Sequence, residues 1–398
     1  MAAFQDTWRK ALEERSRAGL LRHHKVLESA QGVDVQVDGK PYLAFCSNDY
    51  LGLANHPDVS EAAIKSIESY GFGSGASHLV LGHHLEHDLL AKDLAEFTRR
   101  DRAIVFSSGY MANLALVSSL VDKSDLVLQD KLNHASLLDG GLLSGARFQR
   151  FLHNDMRSLE GYLTKFTQDQ KIKKSLIVTD GVFSMDGDIA HIDQMAKIST
   201  SYDALLMVDD AHGMGVLGEH GQGTIASLGL SQDEVPVLMG TFGKAFGTSG
   251  AFVAGSEQLI DYLSQVARPY IYTTAMPPSV AAATRKSLEL IKSAGSSREH
   301  LKALIGYFRE KVSALGYALM PSLTPIQPVV IGSSFQTMAL AEFLKTQGIL
   351  VGAIRPPTVP DKTARLRITL SAAHSFAQID RLLEVLGDAL RQGLISDD

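Results

Sequence analysis

The feature that most constrains the fold of this chain is an alternation between about residues 100 and 255, where short β-rich runs are separated by helical patterns. Such alternation is typical of βαβ units, in which parallel strands are covered by helices. The runs are mostly apolar throughout, as expected for strands buried on both faces. We predict six strands, at residues 102–107, 125–130, 147–153, 175–181, 204–210 and 235–241.

The flanking regions have different patterns. Residues 85–97 place leucines on one helical face after a Gly-rich loop, whereas from about residue 279 two long helical patterns precede strand candidates at 325–332 and 364–371. A last helix begins at about residue 375. We therefore predict an α/β fold with an N-terminal segment of a helix and short strands (1–50), a large domain with a mostly parallel sheet (51–285) and a smaller α+β domain (286–398).

Composition excludes several classes of function. A formal net charge of −6 with scattered basic residues argues against a nucleic-acid partner. The single cysteine, Cys46, rules out an intramolecular disulfide, a thiolate zinc site and an iron–sulfur cluster. The N-terminus lacks a secretory signal, and no apolar run is long enough to span a membrane. We predict a cytoplasmic protein with no membrane partner and no metal.

Ligands of open parallel sheets bind outside the carboxyl ends of the strands. After the first predicted strand, Ser107, Ser108 and Gly109 lead into a helix whose free N–H groups could bind a phosphate, although a simple serine N-cap is the alternative. His134 follows the second strand and could equally be structural. Ser184 follows the fourth strand, where an ordinary turn would also explain it.

The last two predicted strands end in charged groups. Asp209 and Asp210 end an apolar strand, so a cation or a protonated ring is expected beside them; a structural Arg or Lys partner is the alternative. His212 follows, and the sixth strand delivers Thr241 and Lys244. A phosphate site, a hydroxyl, an imidazole, a carboxylate and a lysine together form the set that holds pyridoxal phosphate.

The motifs around these residues are specific for one family. The chain resembles the α-oxoamine synthase family of fold-type I pyridoxal-phosphate enzymes over nearly its whole length. The resemblance is carried by FCSNDYLGLANHP, GFGSGASHLVLG, FSSGYMAN, LNHASLLDG, TDGVFSMDGD, MVDDAHGMGVLGEHGQG, TFGKAFGTSGA, IYTTAMPP and IRPPTVP.

The resemblance implies a role for each matching residue. Lys244 would bind the cofactor covalently and act as the base, Asp209 would partner the pyridinium nitrogen, and His134 would stack on the ring. His212 would donate a hydrogen bond to the phenolic oxygen of the ring, with Ser184 beside the cofactor. The residues implied for the phosphate are Ser108, Gly109, Tyr110 and Thr241, and those implied for the substrates are Arg22, Asn48, Arg355 and Thr358.

The resemblance also implies an activity and a partner. The stretch GSGASHLVLGHH is similar to that of members which use a pimeloyl thioester, so we expect an acyltransferase that condenses L-alanine with this donor, releasing carbon dioxide, in biotin biosynthesis. Coenzyme A and an acyl carrier protein remain alternative carriers. Family members are homodimers with the site between subunits, and Thr273 or Thr274 would reach the phosphate of the partner.

Three other interpretations compete with this one. His83, Glu86 and His87 match the H-x-x-E-H pattern of a zinc protease on a predicted helix. Nucleotide-binding loops fit poorly: a Walker A loop needs Ser or Thr where Ala245 stands, and GFGSGA lacks the last glycine of a dinucleotide fingerprint. A non-catalytic protein that senses pyridoxal phosphate is the third, and the absence of a basic DNA-binding module weakens it.

Overall fold

The computed structural model describes residues 1–18, 20–169 and 171–395. The N-terminal region confirms the predicted helix at 85–97 and adds a short π-helical turn within the predicted Gly-rich loop. Its elements in chain order are α1 (Ala2–Arg17), β1 (Asp34–Val37), β2 (Lys40–Phe45), α2 (Pro57–Tyr70), the π-helical turn His78–Gly82 and α3 (Leu85–Thr98).

The central region confirms all six predicted strands to within two residues. One further strand, β9, was not predicted. The elements are β3 (Arg102–Phe106), α4 (Gly109–Leu120), β4 (Leu126–Asp130), α5 (Ala135–Leu143), β5 (Arg147–Phe151), α6 (Met156–Thr167), β6 (Ser175–Asp180), α7 (Ile192–Ser201), β7 (Leu205–Asp209), α8 (Thr224–Ser227), β8 (Val237–Thr241), β9 (Ala251–Gly255), α9 (Glu257–Val266) and α10 (Arg268–Ile271).

The C-terminal region confirms the two long helices, the two strand candidates and the last helix. The sequence analysis missed α13 and the strands β10 and β12. The elements are α11 (Pro278–Ser293), α12 (Gly295–Ala314), β10 (Ala318–Leu319), β11 (Ile326–Gly332), α13 (Ser334–Thr346), β12 (Ile349–Ile354), β13 (Ala364–Thr369) and α14 (Phe376–Arg391).

The central strands form one mixed sheet. Within the described ranges it has seven strands in the order β3-β9-β8-β7-β6-β4-β5, and β9 alone runs antiparallel to its neighbours. Successive residues of a strand face opposite sides: Leu126 and Leu128 belong to one apolar core, and Val127 to the core on the other face. The predicted mostly parallel sheet, covered on both faces, is confirmed.

The second sheet joins the two ends of the chain. Among the described residues it has six strands in the order β1-β2-β12-β13-β11-β10. Strand β2 pairs in parallel with β12, with Leu43 opposite Ile349. The N-terminal strands therefore lie in the same sheet as the C-terminal strands. The domain boundaries at residues 50 and 285 stay predictions.

Candidate active site

A cavity of about 160 Å³ lies where β6, β7 and β8 end and α4 begins. We call it the strand-end cavity. It brings together most of the residues predicted to hold the cofactor, although they come from separate strands. Its lining is Gly109, Tyr110, Asn113, His134, Ser136, Asp180, Ser184, Asp209, Ala211, His212, Met239, Thr241 and Lys244.

Lys244 is only partly exposed and lies three residues beyond the end of β8. Burial lowers the pKa of its amine to about 8, although the charges of Asp209 and Asp180 oppose this change. A buried ammonium ion is costly, which is why the pKa falls from the ordinary value of a lysine. The side chain therefore holds a substantial neutral fraction near pH 8, as a nucleophile or a general base requires.

Asp209 is 5% exposed, and both of its carboxylate oxygens accept hydrogen bonds. Oδ1 accepts from the backbone N–H of Ala211 at 3.0 Å, and Oδ2 accepts from Nδ2 of Asn113 at 2.6 Å. Asp210 faces away from the cavity lining: its Oδ2 accepts from the backbone N–H of Thr224 at 2.6 Å, and burial raises its pKa to about 7. Only the first acid of the pair is therefore available to a ligand.

His212 is held by a tyrosine that the sequence analysis did not single out. The hydroxyl of Tyr50, which is fully buried, lies 2.6 Å from Nδ1 of His212. Burial, reinforced by the positive charges of Lys244 and Arg367, lowers the pKa of His212 well below its ordinary value. The ring is therefore neutral, and its other nitrogen is left for a ligand in the cavity.

His134 is fixed at the start of α5, where it is the N-cap residue. Its backbone N–H donates to Oδ2 of Asp180 at 2.8 Å. Asp180 is 5% exposed and lies opposite Asp209 in the register of β6 and β7. Burial, together with the negative charge of Asp209, raises the pKa of Asp180. Asp180 was missed at the sequence level, although its place at the end of a predicted strand was a usable signal.

The N-terminus of α4 forms one wall of the cavity. Ser108 is its N-cap, and the serine Oγ accepts from the backbone N–H of Met111 at 3.3 Å. A side chain at position 109 would meet Cε of Met239 at 2.9 Å, so Gly109 keeps this wall open. The same added side chain would also approach Oγ1 of Thr241, at 3.7 Å. Free N–H groups at the start of a twelve-residue helix suit a phosphate.

Arg367 on β13 is a candidate that the sequence analysis missed. It is 7% exposed; its Nη1 and Nη2 atoms both donate to Oδ1 of Asn48 at 3.2 Å, and Nε donates to the carbonyl of Ser184 at 2.6 Å. Its neighbour Arg365 ion-pairs with Asp186, but Arg367 forms no ion pair with a carboxylate among the described residues. A buried guanidinium of this kind is suited to bind the carboxylate of a substrate.

None of the residues predicted to contact the substrates, Asn48 included, is part of the cavity lining. Arg22 is exposed in the segment before β1, and Arg355 and Thr358 follow β12, where the backbone N–H of Thr358 donates to the carbonyl of Arg355 at 3.0 Å. Their role as substrate contacts stays a prediction. Thr274 is exposed near Ser107, whose Oγ donates to its carbonyl at 3.5 Å, and Thr273 precedes it.

The residues of the strand-end cavity fit pyridoxal phosphate. The helix N-terminus suits a phosphate, an ionised acid suits a pyridinium nitrogen, and a lysine of lowered pKa suits a carbonyl carbon. A buried acceptor, Oδ1 of Asn113, has no hydrogen-bond partner among the described residues, as expected at a site that a polar ligand completes.

A second group of ionisable side chains consists of His78, His83 and His87, here called the histidine cluster. Their nearest ring nitrogens lie within 4.8 Å of one another, and His78 and His83 line a larger cavity of about 640 Å³. However, Nδ1 of His87 accepts from the backbone N–H of His84 at 3.0 Å, and Nε2 donates to the carbonyl of Met276 at 2.8 Å. His87 therefore has no lone pair left for a metal.

Glu86, the proposed base of the zinc protease pattern, is also engaged. Its carboxylate ion-pairs with Arg285 at 3.0 Å, and the same guanidinium pairs with Asp93 at 2.8 Å. An ion pair of this kind ties α3 to α11. Packing between two helices thus explains the pattern H-x-x-E-H, and the zinc interpretation loses one of its two histidine ligands, His87, and its base, Glu86.

Comparisons with known proteins point to one family. The family model described as aminotransferase class I and II matches residues 40–386. An 8-amino-7-oxononanoate synthase of Pseudomonas aeruginosa is 60% identical over 381 residues, which cover 96% of this chain and 94% of the relative. One from Cellvibrio japonicus is 57% identical over 97% of this chain and 96% of its own.

Two solved structures support the same assignment. A serine palmitoyltransferase from S. paucimobilis with a bound PLP–myriocin aldimine has a TM-score of 0.91 at 30% identity, covering 98% of each chain. An 8-amino-7-oxononanoate synthase from Francisella tularensis has a TM-score of 0.76 at 34% identity, covering 89% of this chain and 99% of that one.

Proposed function

The chain belongs to the family of class I and II aminotransferases, and on this premise we propose that it condenses L-alanine with a pimeloyl thioester. The products would be 8-amino-7-oxononanoate, carbon dioxide and the free thiol, a reaction of biotin biosynthesis. The observation that carries the proposal is the partly buried lysine of lowered pKa, which shares a cavity with Asp209 at the carboxyl ends of parallel strands. The similarity to named synthases of this reaction supports the choice of substrates.

The protein is a pyridoxal-phosphate-dependent acyltransferase. When bound, the cofactor supplies an electron sink for negative charge at the Cα atom of the amino acid. In our proposal Lys244 holds its carbonyl carbon. Ser108, Gly109, Tyr110 and Thr241 would hold its phosphate at the start of α4.

The ring would be held by charge and by shape. Asp209, held by two hydrogen bonds, would accept the proton-bearing ring nitrogen as its partner. His134 and Ser184 both line the cavity; the imidazole would stack on the ring, with Ser184 beside the cofactor. His212, neutral and bonded to Tyr50 through Nδ1, offers its remaining nitrogen to the phenolic oxygen.

Proton transfer is assigned to Lys244. Its amine, with a pKa of about 8, removes the Cα proton of the amino acid and later returns a proton to the product. Burial of the amine keeps competing water away from it. The nearby Asp180 and Asp209 offset part of the cost of burying the protonated lysine.

Substrate binding is divided between two regions. Arg367 and Asn48 would bind the carboxylate of L-alanine, because the guanidinium is buried beside the cavity and lacks an acidic partner among the described residues. Arg22, Arg355 and Thr358 stay predicted contacts of the substrates. Since none of the three is part of the cavity lining, we assign them to the acyl donor.

We further propose a homodimer. On α1 the side chains of Phe4, Trp8 and Leu12 are 66%, 59% and 57% exposed and fall on one helical face. Apolar stripes of this kind mark protein interfaces. Thr273 or Thr274 would reach the phosphate of the partner subunit. Sedimentation at micromolar concentration tests the proposal, and a fully active monomer would contradict it.

The cellular location stays a prediction, the cytoplasm. The helices that the structure describes include none that is long and apolar enough to cross a membrane.

The activity is tested by offering the protein matched substrates. We expect pyridoxal phosphate, L-alanine and pimeloyl-coenzyme A to yield 8-amino-7-oxononanoate, detected by mass spectrometry, with equal amounts of carbon dioxide and coenzyme A. L-Serine with palmitoyl-coenzyme A is the comparison, because serine palmitoyltransferases share the fold. Faster turnover of L-serine with palmitoyl-coenzyme A, or no turnover of either pair, would refute the proposed substrates.

A further inference from the structure

Two polar side chains outside the predicted set connect Asp209 to His134. Asn113 on α4 and Ser136 on α5 are each 1% exposed. Nδ2 of Asn113 lies 2.6 Å from Oδ2 of Asp209 and 2.9 Å from Oγ of Ser136. Oγ of Ser136 in turn lies 2.7 Å from Nδ1 of His134. The four side chains form one continuous chain of hydrogen bonds beneath the cavity.

The chemistry of the groups fixes the direction of each bond. An amide NH₂ only donates, so Asn113 gives one hydrogen to Asp209 and the other to Ser136. The backbone N–H of Ser136, which also only donates, points at Nδ1 of His134 at 3.3 Å. Nδ1 must therefore carry a lone pair, and the Ser136 hydroxyl donates to it as well. The proton of the neutral ring then belongs on Nε2.

The orientation of the Asn113 amide leaves one buried atom without a hydrogen bond. Its Oδ1 has no hydrogen-bond partner in the described part of the chain, and such a buried acceptor destabilises the fold. Rotating the amide by half a turn would place Oδ1 against the carboxylate of Asp209, which is worse. The local structure therefore keeps both hydrogens of Asn113 directed at Asp209 and Ser136.

We propose that Asn113 and Ser136 are positioning residues that couple the two faces of the cofactor site. Asn113 holds the Asp209 carboxylate in place and, through Ser136, locks His134 with Nδ1 as acceptor and Nε2 as donor. This inference rests on the proposed function, in which Asp209 and His134 would contact the ring of the cofactor.

The surroundings of His134 are consistent with a neutral ring. Partial burial lowers its pKa; the negative charges of Asp209 and Asp139 oppose this, and the positive charge of Lys244 reinforces it. The Ser136 hydroxyl adds a donor at the nitrogen that would otherwise accept a proton. Removing that donor should make His134 easier to protonate.

The experiment is nitrogen-15 NMR of the histidine rings in the full chain, with and without bound pyridoxal phosphate. A His134→Gln variant identifies the signals of His134. In the wild type we expect the proton on Nε2 and the lone pair on Nδ1. In Ser136→Ala we expect the pKa of His134 to rise toward its ordinary value and a second tautomer to appear. Asn113→Ala should shift His134 in the same direction and weaken binding of pyridoxal phosphate.

The matched control is Ser199→Ala, which removes a buried hydroxyl that donates to the carbonyl of Ala196 on α7, away from the cavity. It should leave the His134 signals unchanged. A wild-type proton on Nδ1, or a Ser136→Ala variant that titrates like the wild type, would overturn the proposal. The signals of the cofactor-free chain decide this question even if the proposed activity fails, so the two failures are distinguishable.

Discussion

The strand-end cavity and the histidine cluster both bring ionisable side chains together beside a cavity. They differ in whether those side chains are already fully paired within the protein. In the cluster, His87 uses both ring nitrogens on its own backbone surroundings, and Glu86 is paired with Arg285. In the strand-end cavity, Lys244 is part of the lining and has a lowered pKa, and nearby Arg367 has no carboxylate partner among the described residues. Groups left incompletely paired, rather than groups merely brought together, mark a site for a ligand.

The largest expected effect, and so the strictest test of this difference between the two sites, is that of replacing Lys244. We expect Lys244→Ala to lower turnover by about 10²- to 10⁴-fold or more, since the variant loses its proton-transfer group. The visible absorption band of bound cofactor should also disappear. Lys92→Ala is the matched control, because that amine is 70% exposed and pairs with Asp88 on the surface. Equal loss in both variants, measured as steady-state product formation, would contradict the assignment.

Arg367 tests whether the unpaired guanidinium serves the amino acid. A hydrogen bond to a charged group contributes about 1.5–3 kcal/mol, so Arg367→Gln should raise the KM for L-alanine by about 10- to 100-fold. The KM for the thioester should change little. Arg381→Gln, which removes an exposed guanidinium paired with Glu384, is the control. An unchanged KM for L-alanine would show that the carboxylate binds elsewhere.

The histidine cluster should affect stability at acid pH. Burial lowers the pKa of His78 to about 3 and that of His87 to about 4. The unfolded chain therefore binds more protons than the folded one between about pH 4 and 6.5, so stability is present near neutrality and is lost as the pH falls through this range. At pH 5 each ring should cost about 1–2 kcal/mol.

A His87→Gln variant tests this acid dependence. Glutamine keeps one donor and one acceptor but cannot be protonated, so the difference in the free energy of unfolding between pH 5 and pH 7 should shrink. Urea unfolding at both pH values measures it. A wild-type protein that is equally stable at pH 5 and pH 7 would contradict the buried, neutral state of these rings.

The smallest expected effect concerns zinc. Because His87 has no free lone pair, we expect neither a chelator nor added zinc to shift the melting temperature of the cofactor-loaded enzyme. Calorimetric scans with each addition make the measurement. A melting temperature that rises with zinc concentration, and does not rise in His83→Ala, would show that the cluster binds a metal after all.

Much of this arrangement could be predicted because it is local in sequence. One apolar run ends in Asp209, and another ends just before Lys244. Each run predicts a buried strand and also the polar group that follows it. Strand β9 escaped because it follows β8 after a short connection without a helix, which the βαβ pattern does not anticipate. Strand β12 was missed as well; one of its partners, β2, lies near the opposite end of the sequence, and the other is the adjacent β13.

The missed site residues depend on distant contacts. Asn113 and Asp209 are 96 residues apart, and Asn48 and Arg367 are 319 apart. Nothing in the local pattern of α4 marks Asn113 as a partner of an acid, and β13 carries two arginines of which only one is ion-paired. Spacing alone also suggested a zinc site at His83 and His87, which the folded hydrogen bonds do not support.

The pairing of β2 with β12 has a consequence for how the chain is made. Leu43 leaves the ribosome more than 300 residues before Ile349, so at about 5–20 residues per second β2 waits roughly 15–60 seconds for its neighbour. The central sheet can form around Lys244 in the meantime. Asn48 and Arg367 come together only when β12 and β13 arrive. A nascent chain thus completes the cofactor pocket before it can capture an amino acid, and until then β2 presents an unpaired edge that a chaperone could protect.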